Sequence, residues 1–103
     1  MIITDRTFDQ VLAQAQAKPL LIDCWAPWCG PCRMLTPTID RLAKESAGRW
    51  VIGKLNVDEN PRTAARFNIS SIPAMLIFKN GQLRDQLIGL QPGPAIEARL
   101  NSV

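Results

Sequence analysis

The feature that most constrains the fold is an apolar run, Leu20–Trp25, which leads without a linker into a turn that carries two cysteines. A short and nearly continuous apolar run is typical of a β-strand covered on both faces. The next segment, Ala26-Pro-Trp-Cys-Gly-Pro-Cys32, is rich in turn residues, and beyond it apolar residues recur at helical spacing as far as Ala43. The sequence therefore predicts a central strand that ends in a strand-to-helix junction holding Cys29 and Cys32.

The rest of the chain alternates between helical and strand patterns until a hairpin near its end. Asn80-Gly81 favours the tight turn that joins antiparallel strands, and capping signals mark helix starts at Thr7 and Asn60. The predicted elements are a short apolar start at 1–4, a helix at 7–16, a strand at 20–25, a helix after Cys32 that Pro37 kinks and Gly48 closes, a strand at 50–57, a helix at 60–67, strands at 74–79 and 82–89, and a final helix after Pro92 and Pro94.

This order, β-α-β-α-β-α-β-β-α, predicts an α/β protein of three layers, α/β/α. The central sheet is expected to be mixed, parallel in its first part and antiparallel at the hairpin, with helices on both faces. The chain has 103 residues. A division into two domains would leave each half too small to bury its own core, so we expect a single domain over 1–103.

Composition excludes several classes of function. The net charge of +3 arises from scattered charges without a basic run, which argues against nucleic-acid binding. No apolar stretch approaches the roughly 20 residues that cross a bilayer, so no membrane association is expected. Three cysteines, an odd number, do not make a fully paired framework, and no export signal is visible. We therefore expect a reducing, cytoplasmic location.

The two cysteines of the junction suggest redox chemistry. Residues at i and i+3 in the first turn of a helix lie on one face, close enough for a disulfide that opens and closes. The helix N-terminus stabilises a thiolate, so Cys29 is the expected nucleophile and Cys32 the resolving cysteine. Gly30 would let another backbone approach and Pro31 would stiffen the loop. Two tryptophans, Trp25 and Trp28, would cover the site with apolar surface.

A Cys-x-x-Cys pair can also be half of a zinc site. Closed zinc sites need four cysteine or histidine ligands, whereas this chain has one further cysteine, Cys24, and no histidine. We therefore predict no metal and no bound cofactor. Cys24 neighbours Asp23 on the strand, so its side chain points to the opposite face, where inert core is the expected role.

The segment around the two cysteines resembles that of a known family. The segment Trp25-Ala-Pro-Trp-Cys-Gly-Pro-Cys32 is similar to the active site of thioredoxins. The resemblance covers almost the whole chain and implies a thioredoxin fold and a protein-disulfide reductase that is recycled by a thioredoxin reductase. Further residues that fall where thioredoxins have counterparts are Asp23, Lys54, Ile72-Pro73, Asn80-Gly81 and Gly89.

Asp23 interrupts an apolar strand, where a carboxylate is costly unless it is protonated or paired. The resemblance implies that it is a buried acid beneath the dithiol, which exchanges a proton with Cys32. The alternative is an aspartate at a solvated strand end. Lys54 on the next strand would lie beside Asp23 and tune its proton affinity, or would extend to solvent instead.

The resemblance also implies a substrate-docking surface. A cis peptide bond at Ile72-Pro73 would face the cysteines and offer backbone groups to an extended substrate. Gly89 would complete an apolar rim with Trp28, although a strand-ending glycine is the simpler interpretation from the residues alone. We expect a monomer that acts on diverse protein disulfides.

Two other functions stay open on the sequence. The same dithiol serves disulfide oxidases and isomerases at a less negative potential. The fold could instead act as a binding module or partner subunit, in which the dithiol is a switch or is incidental.

Overall fold

The computed structural model describes all residues, 1–103. Helices and strands alternate as far as β3, which β4 follows directly, and the single sheet lies between the helices. The elements are α1 (Phe8–Ala15), β1 (Leu20–Trp25), α2 (Gly30–Glu45), β2 (Val51–Asn56), α3 (Pro61–Arg66), β3 (Ala74–Lys79), β4 (Gln82–Ile88) and α4 (Gly93–Ser102).

The sheet has the strand order β2-β1-β3-β4. β1 runs parallel to β2 and antiparallel to β3, and β3 runs antiparallel to β4. The mixed sheet predicted from the sequence is confirmed. The register of the parallel pair places Asp23 directly opposite Lys54. Asn80 and Gly81 at the β3–β4 turn both have positive φ, 53° and 77°, as the primed hairpin turn requires.

The strand expected at the start of the chain is reduced to a single bridge, between Ile2 and Lys54. Ile3 donates its backbone N–H to the Lys54 carbonyl at 2.8 Å, and Lys54 donates to the Met1 carbonyl at 2.9 Å. The segment nevertheless covers the outer edge of β2.

Each face of the sheet has its own core, because side chains alternate along the strands. On one face Leu21 packs with residues of α2 and α4, among them Leu35 and Ile96. On the other face Ile22 and Cys24 pack with Phe8 of α1 and with residues around α3. The predicted α/β/α layering is confirmed, and Asp23, one residue on from Ile22, belongs to the face covered by α2.

The predicted capping box of α1 does not form. Thr7 is the N-cap, but its side chain makes no capping hydrogen bond. Its Oγ1 instead accepts the Thr4 N–H at 3.0 Å, and the Thr7 N–H reaches back to Thr4 Oγ1 at 3.2 Å. The Thr7 hydroxyl therefore bonds to Thr4, three residues upstream, instead of to the first turn of the helix.

Asn60 is the N-cap residue of α3 and Pro61 its first residue, as predicted, but the Asn60 side chain makes no capping hydrogen bond. The Asn60 side chain accepts the Asp5 N–H at 2.8 Å and donates to the Asn56 carbonyl at 2.9 Å. Asp5 caps α3 instead, since its carboxylate accepts the backbone N–H groups of Arg62 and Thr63 and the Thr63 hydroxyl. The capping group thus comes from a distant part of the chain.

Two other helix boundaries differ slightly from the expectation. α2 runs unbroken through Pro37 and ends at Glu45, three residues before Gly48. α4 begins at Gly93, so that Pro92 is its N-cap and Pro94 lies within its first turn rather than before it. Proline is tolerated there because the first N–H groups of a helix lack partners within the helix.

Candidate active site

The two cysteines of the junction form a disulfide at the start of α2. Cys29 is the N-cap residue, and its Sγ accepts the Cys32 backbone N–H at 3.2 Å. The Cα atoms of the pair are 5.2 Å apart. Gly30 and Pro31 occupy the first two helical positions, where the missing N–H of proline costs no hydrogen bond. The predicted pairing is confirmed, and it uses the N-terminus of a 16-residue helix.

Both sulfurs lie in a small apolar cluster. Cys29 is 4% exposed and Cys32 is 1% exposed, and Trp25 and Ile72 pack against them. Trp25 therefore covers the site as expected. Trp28 is 68% exposed and is not among the residues of this cluster.

Three loops meet at Cys29. The Ile72–Pro73 peptide bond is cis, and the Ile72 carbonyl oxygen lies 3.8 Å from Cys29 Sγ. Gly89 donates its backbone N–H to the Pro73 carbonyl at 2.8 Å and has a φ of +88°, which an L side chain rarely adopts. The fold thus brings together the three sequence segments of the expected docking surface.

Asp23 is buried beneath this region. Its side chain is 1% exposed and neither carboxylate oxygen has a hydrogen-bond partner in the protein. The solvated strand end considered from the sequence is therefore wrong. Burial raises the pKa of Asp23 to about 6, the positive charge of Lys54 opposes that rise, and the negative charge of Asp40 adds to it.

Lys54 is half-buried opposite Asp23, yet the two form no salt bridge. No carboxylate lies within 4.0 Å of the Lys54 ammonium. Its Nζ donates to Thr36 Oγ1 of α2 at 3.4 Å and lies 5.3 Å from the centre of the Trp25 ring. The ammonium thus acts on Asp23 through its field rather than by a direct hydrogen bond.

Comparison with known proteins agrees with this geometry. The thioredoxin family model matches residues 1–102. The chain belongs to the thioredoxin family. It is 47% identical over 103 residues to the thioredoxin of Alicyclobacillus acidocaldarius, covering 100% of this chain and 96% of that protein. It is 43% identical over 98 residues to thioredoxin 1 of Nostoc, covering 95% and 91% of the two chains.

A plant relative is similar but longer. The chain is 46% identical over 99 residues to thioredoxin M-type, chloroplastic, of Pisum sativum, which covers 96% of this chain but only 57% of that protein. Family membership and the Cys29–Cys32 disulfide together make this chain a thioredoxin-type thiol-disulfide oxidoreductase with protein-disulfide reductase activity.

The third cysteine, Cys24, lies outside the redox pair. Cys24 is 1% exposed and lies in the core on the sheet face away from Asp23. Burial, with a smaller contribution from the negative charge of Asp23, raises the pKa of the Cys24 thiol to about 12. The predicted position in the core is confirmed, and a thiol that does not ionise is a poor nucleophile.

Sequence reasoning missed two residues beside the dithiol. Asp58 accepts a hydrogen bond from the indole Nε1 of Trp28 at 2.9 Å. Arg33 donates to the Pro27 carbonyl at 2.8 Å and so ties the turn before Cys29 to α2. Arg33 directly follows Cys32, so its position beside the dithiol could have been predicted from the sequence. Asp58 could not, because it lies 30 residues from Trp28 in a turn without a recognisable motif.

No cluster of three or more His, Cys, Asp or Glu side chains that could hold a metal ion is present. None of the helices combines the length and the apolar character needed to span a membrane.

Proposed function

We propose that Cys29 is the attacking and Cys32 the resolving cysteine when this chain reduces disulfide bonds of other proteins. The observation that carries this assignment is the position of Cys29. Its sulfur accepts the Cys32 N–H at the N-terminus of α2, where unpaired N–H groups and the helix dipole favour a thiolate. Cys32 lies one turn into the helix and has the smaller exposed fraction of the two.

The reaction proceeds by two exchanges. In the reduced protein the Cys29 thiolate attacks one sulfur of the substrate disulfide, forms a mixed disulfide and releases the other substrate sulfur as a thiolate, which takes a proton. Cys32, as a thiolate, then attacks Cys29 Sγ. The second substrate sulfur leaves, the Cys29–Cys32 bond forms, and two electrons have passed to the substrate.

Asp23 is proposed to accept the proton that Cys32 loses in the second exchange. It is the buried carboxylate of the chain and lies on the sheet face that α2 covers. A pKa of about 6 allows it to take up and release a proton near neutral pH. Lys54, opposite it in the register, would keep that pKa from rising further.

The substrate is proposed to dock on Trp28, Ile72, Pro73 and Gly89. Trp28 offers a large exposed aromatic surface. The Ile72 carbonyl beside Cys29 Sγ gives an extended substrate chain a backbone acceptor close to the reacting sulfur. The amide of Gly89 donates to the Pro73 carbonyl, so Gly89 would help to shape the apolar rim on which the substrate docks.

Trapping of the mixed disulfide tests the assignment. Cys32→Ser should accumulate a covalent adduct between Cys29 and a disulfide-containing protein such as insulin, detected by intact-mass spectrometry, because the second exchange is lost. Cys29→Ser is the matched control and should give no adduct. An adduct on Cys32 in the Cys29→Ser protein would reverse the two roles, and partner binding that survives with both cysteines replaced would favour a binding module.

The role of Asp23 is tested by kinetics. Asp23→Asn should slow resolution of the mixed disulfide at pH 7 by about tenfold or more, as loss of a general base does. Glu45→Gln, which changes an exposed carboxylate at the far end of α2, is the control. Unchanged turnover in Asp23→Asn would remove Asp23 from the reaction.

The equilibrium potential separates a reductant from an oxidase or isomerase. The potential of the Cys29–Cys32 couple is measured by equilibration with glutathione and with dithiothreitol. A potential of about −270 mV supports a reductant, whereas one of about −180 to −120 mV would assign the chain to the isomerases and oxidases.

The partners and the location follow from the same proposal. A protein that gives up two electrons per turn must be reduced again, and a thioredoxin reductase is the proposed donor. Oxidised protein that such a reductase fails to reduce would contradict this. A reducing cytoplasm is the proposed location, and trapping of free thiols in intact cells should find Cys29 and Cys32 largely reduced.

A further inference from the structure

A cavity of about 530 Å³ opens behind the dithiol, on the side of Trp25 next to β2. Its wall includes Ile2 of the N-terminal segment, Trp25, Lys54 and the side chains of Asn56 and Glu59. Cavities of this volume are typical of sites for small molecules. Trp25 is shared, since it lines the cavity and also packs against the cysteine cluster.

The amide groups in the wall already bond within the protein. Asn56 Oδ1 accepts the Asp58 N–H, and its Nδ2 donates to Glu59 Oε1. Asn60, which also lines the cavity, uses both ends of its side chain within the protein. Asn56 and Asn60 are thus held by the protein at both ends of their amides, and each Nδ2 keeps one further N–H.

The Lys54 ammonium is a charged donor in the cavity wall that has unused N–H groups. It has three donors, of which one makes a long hydrogen bond of 3.4 Å to Thr36. No carboxylate lies within 4.0 Å of it. A half-buried cation without an ion-pair partner favours an anion in the adjoining space.

The other walls limit which anion fits. Trp25 and Ile2 present apolar surface to the cavity, so part of the ligand should be apolar. The Glu59 carboxylate also lines the cavity and would repel a second negative charge. Both features disfavour a phosphate or a dicarboxylate.

We propose that this cavity binds a small monocarboxylate with an aromatic group, its carboxylate on Lys54 Nζ and its ring against Trp25. The site is separate from the docking surface around Cys29. Its occupant would contact Trp25 behind the dithiol and Lys54 opposite Asp23, so it is placed to influence the redox centre.

The test uses benzoate and the three tryptophan indole N–H signals in NMR spectra of the oxidised full chain. Benzoate added at constant ionic strength should move the Trp25 signal along a saturating curve with a dissociation constant on the order of millimolar. Trp28 and Trp50, which do not line the cavity, are internal references. Benzyl alcohol, the neutral analogue, and inorganic phosphate should each leave the Trp25 signal in place.

Matched lysine variants complete the test. Lys54→Met should weaken benzoate binding about tenfold or more, whereas Lys44→Met, at an exposed lysine of α2, should not change it. The proposal is overturned if the Trp25 signal does not saturate, if benzyl alcohol or phosphate binds as well as benzoate, or if Lys54→Met binds benzoate as the unchanged protein does. None of these readouts depends on disulfide exchange, so they are independent of the proposed roles of the cysteines.

Discussion

The indole Nε1 of Trp28 donates a 2.9 Å hydrogen bond to the carboxylate of Asp58. Trp28 is among the most exposed apolar side chains of the molecule, and this bond fixes the direction of its ring beside Cys29. Asp58 is itself held, because its backbone N–H donates to Asn56 Oδ1 at 2.9 Å. A turn after β2 therefore determines how the docking surface presents its main aromatic residue.

Replacing Asp58 should weaken substrate docking and leave the chemistry of the dithiol unchanged. In Asp58→Ala the ring loses its fixed orientation, and we expect KM for a protein disulfide to rise by about twofold to tenfold with kcat nearly unchanged, as loss of one hydrogen bond predicts. Steady-state reduction of insulin measures both constants. Asp58→Asn retains an acceptor oxygen and should restore most of the affinity; equal KM values in all three proteins would show that the bond is not used.

Burial of Asp23 should make stability depend on pH. Its pKa lies at about 6 instead of 3.8, so between these values the folded protein holds more protons than the unfolded chain. The contribution of Asp23 to stability is thus largest below pH about 4, falls as pH rises and levels off above about 6. Asp23→Asn should remove this loss and be more stable than the unchanged protein by roughly 3 kcal/mol at pH 8.

Urea unfolding of the oxidised proteins at pH 4 and pH 8 measures the difference. At pH 4 the two proteins should have similar stability, because Asp23 is then protonated in the folded state. A stability gain of equal size at both pH values would point to packing rather than to ionisation.

Cys24 should stay unmodified in the folded protein. Its pKa of about 12 and its burial leave almost no accessible thiolate at pH 8. Iodoacetamide added to the reduced native chain should label Cys29, and Cys32 as the site opens, with peptide mass spectrometry showing Cys24 free. In denaturant all three cysteines should react. Labelling of native Cys24 at a rate similar to Cys29 would contradict its assignment to the core.

Gly53 allows the N-terminal segment to pack against β2. A Cβ at this position would meet Cδ1 of Ile3 and lie 2.8 Å from its Cγ1, and Ile3 is fully buried. Gly53→Ala should therefore destabilise the protein by about 1–3 kcal/mol, measured by urea unfolding.

A double-mutant cycle identifies the contact. Ile3→Val removes Cδ1 and should by itself cost about 0.5–1.5 kcal/mol. Combined with Gly53→Ala it should cost less than the sum of the two single changes. Strict additivity would show that the two positions do not compete for space.

Much of the architecture was predictable because its signals are local. Leu20–Trp25 carries its own strand pattern, and Asn80-Gly81 specifies a turn through the backbone angles that these residues tolerate. The two cysteines follow the strand directly, so their place at a helix N-terminus needed no knowledge of distant residues.

Thr7 and Asn60 are N-cap residues as predicted, but the side-chain capping bonds expected of them do not form. Each side chain found another hydrogen-bond partner, Thr4 in one case and Asp5 in the other. Asp5 reaches α3 across 58 residues, and no local pattern reports such a contact.

The sequence by itself determined the chemistry of this protein, since the Cys-Gly-Pro-Cys segment, the strand before it and the helix after it suffice to form the dithiol. Only the tertiary structure decided its surroundings: that Lys54 and Asp23 face each other without a salt bridge, that Asp58 orients Trp28, and that Lys54, Trp25 and Glu59 line one cavity. These relationships join residues far apart in the chain, and they depend on strand register and on packing between layers, which are settled only when the whole core forms.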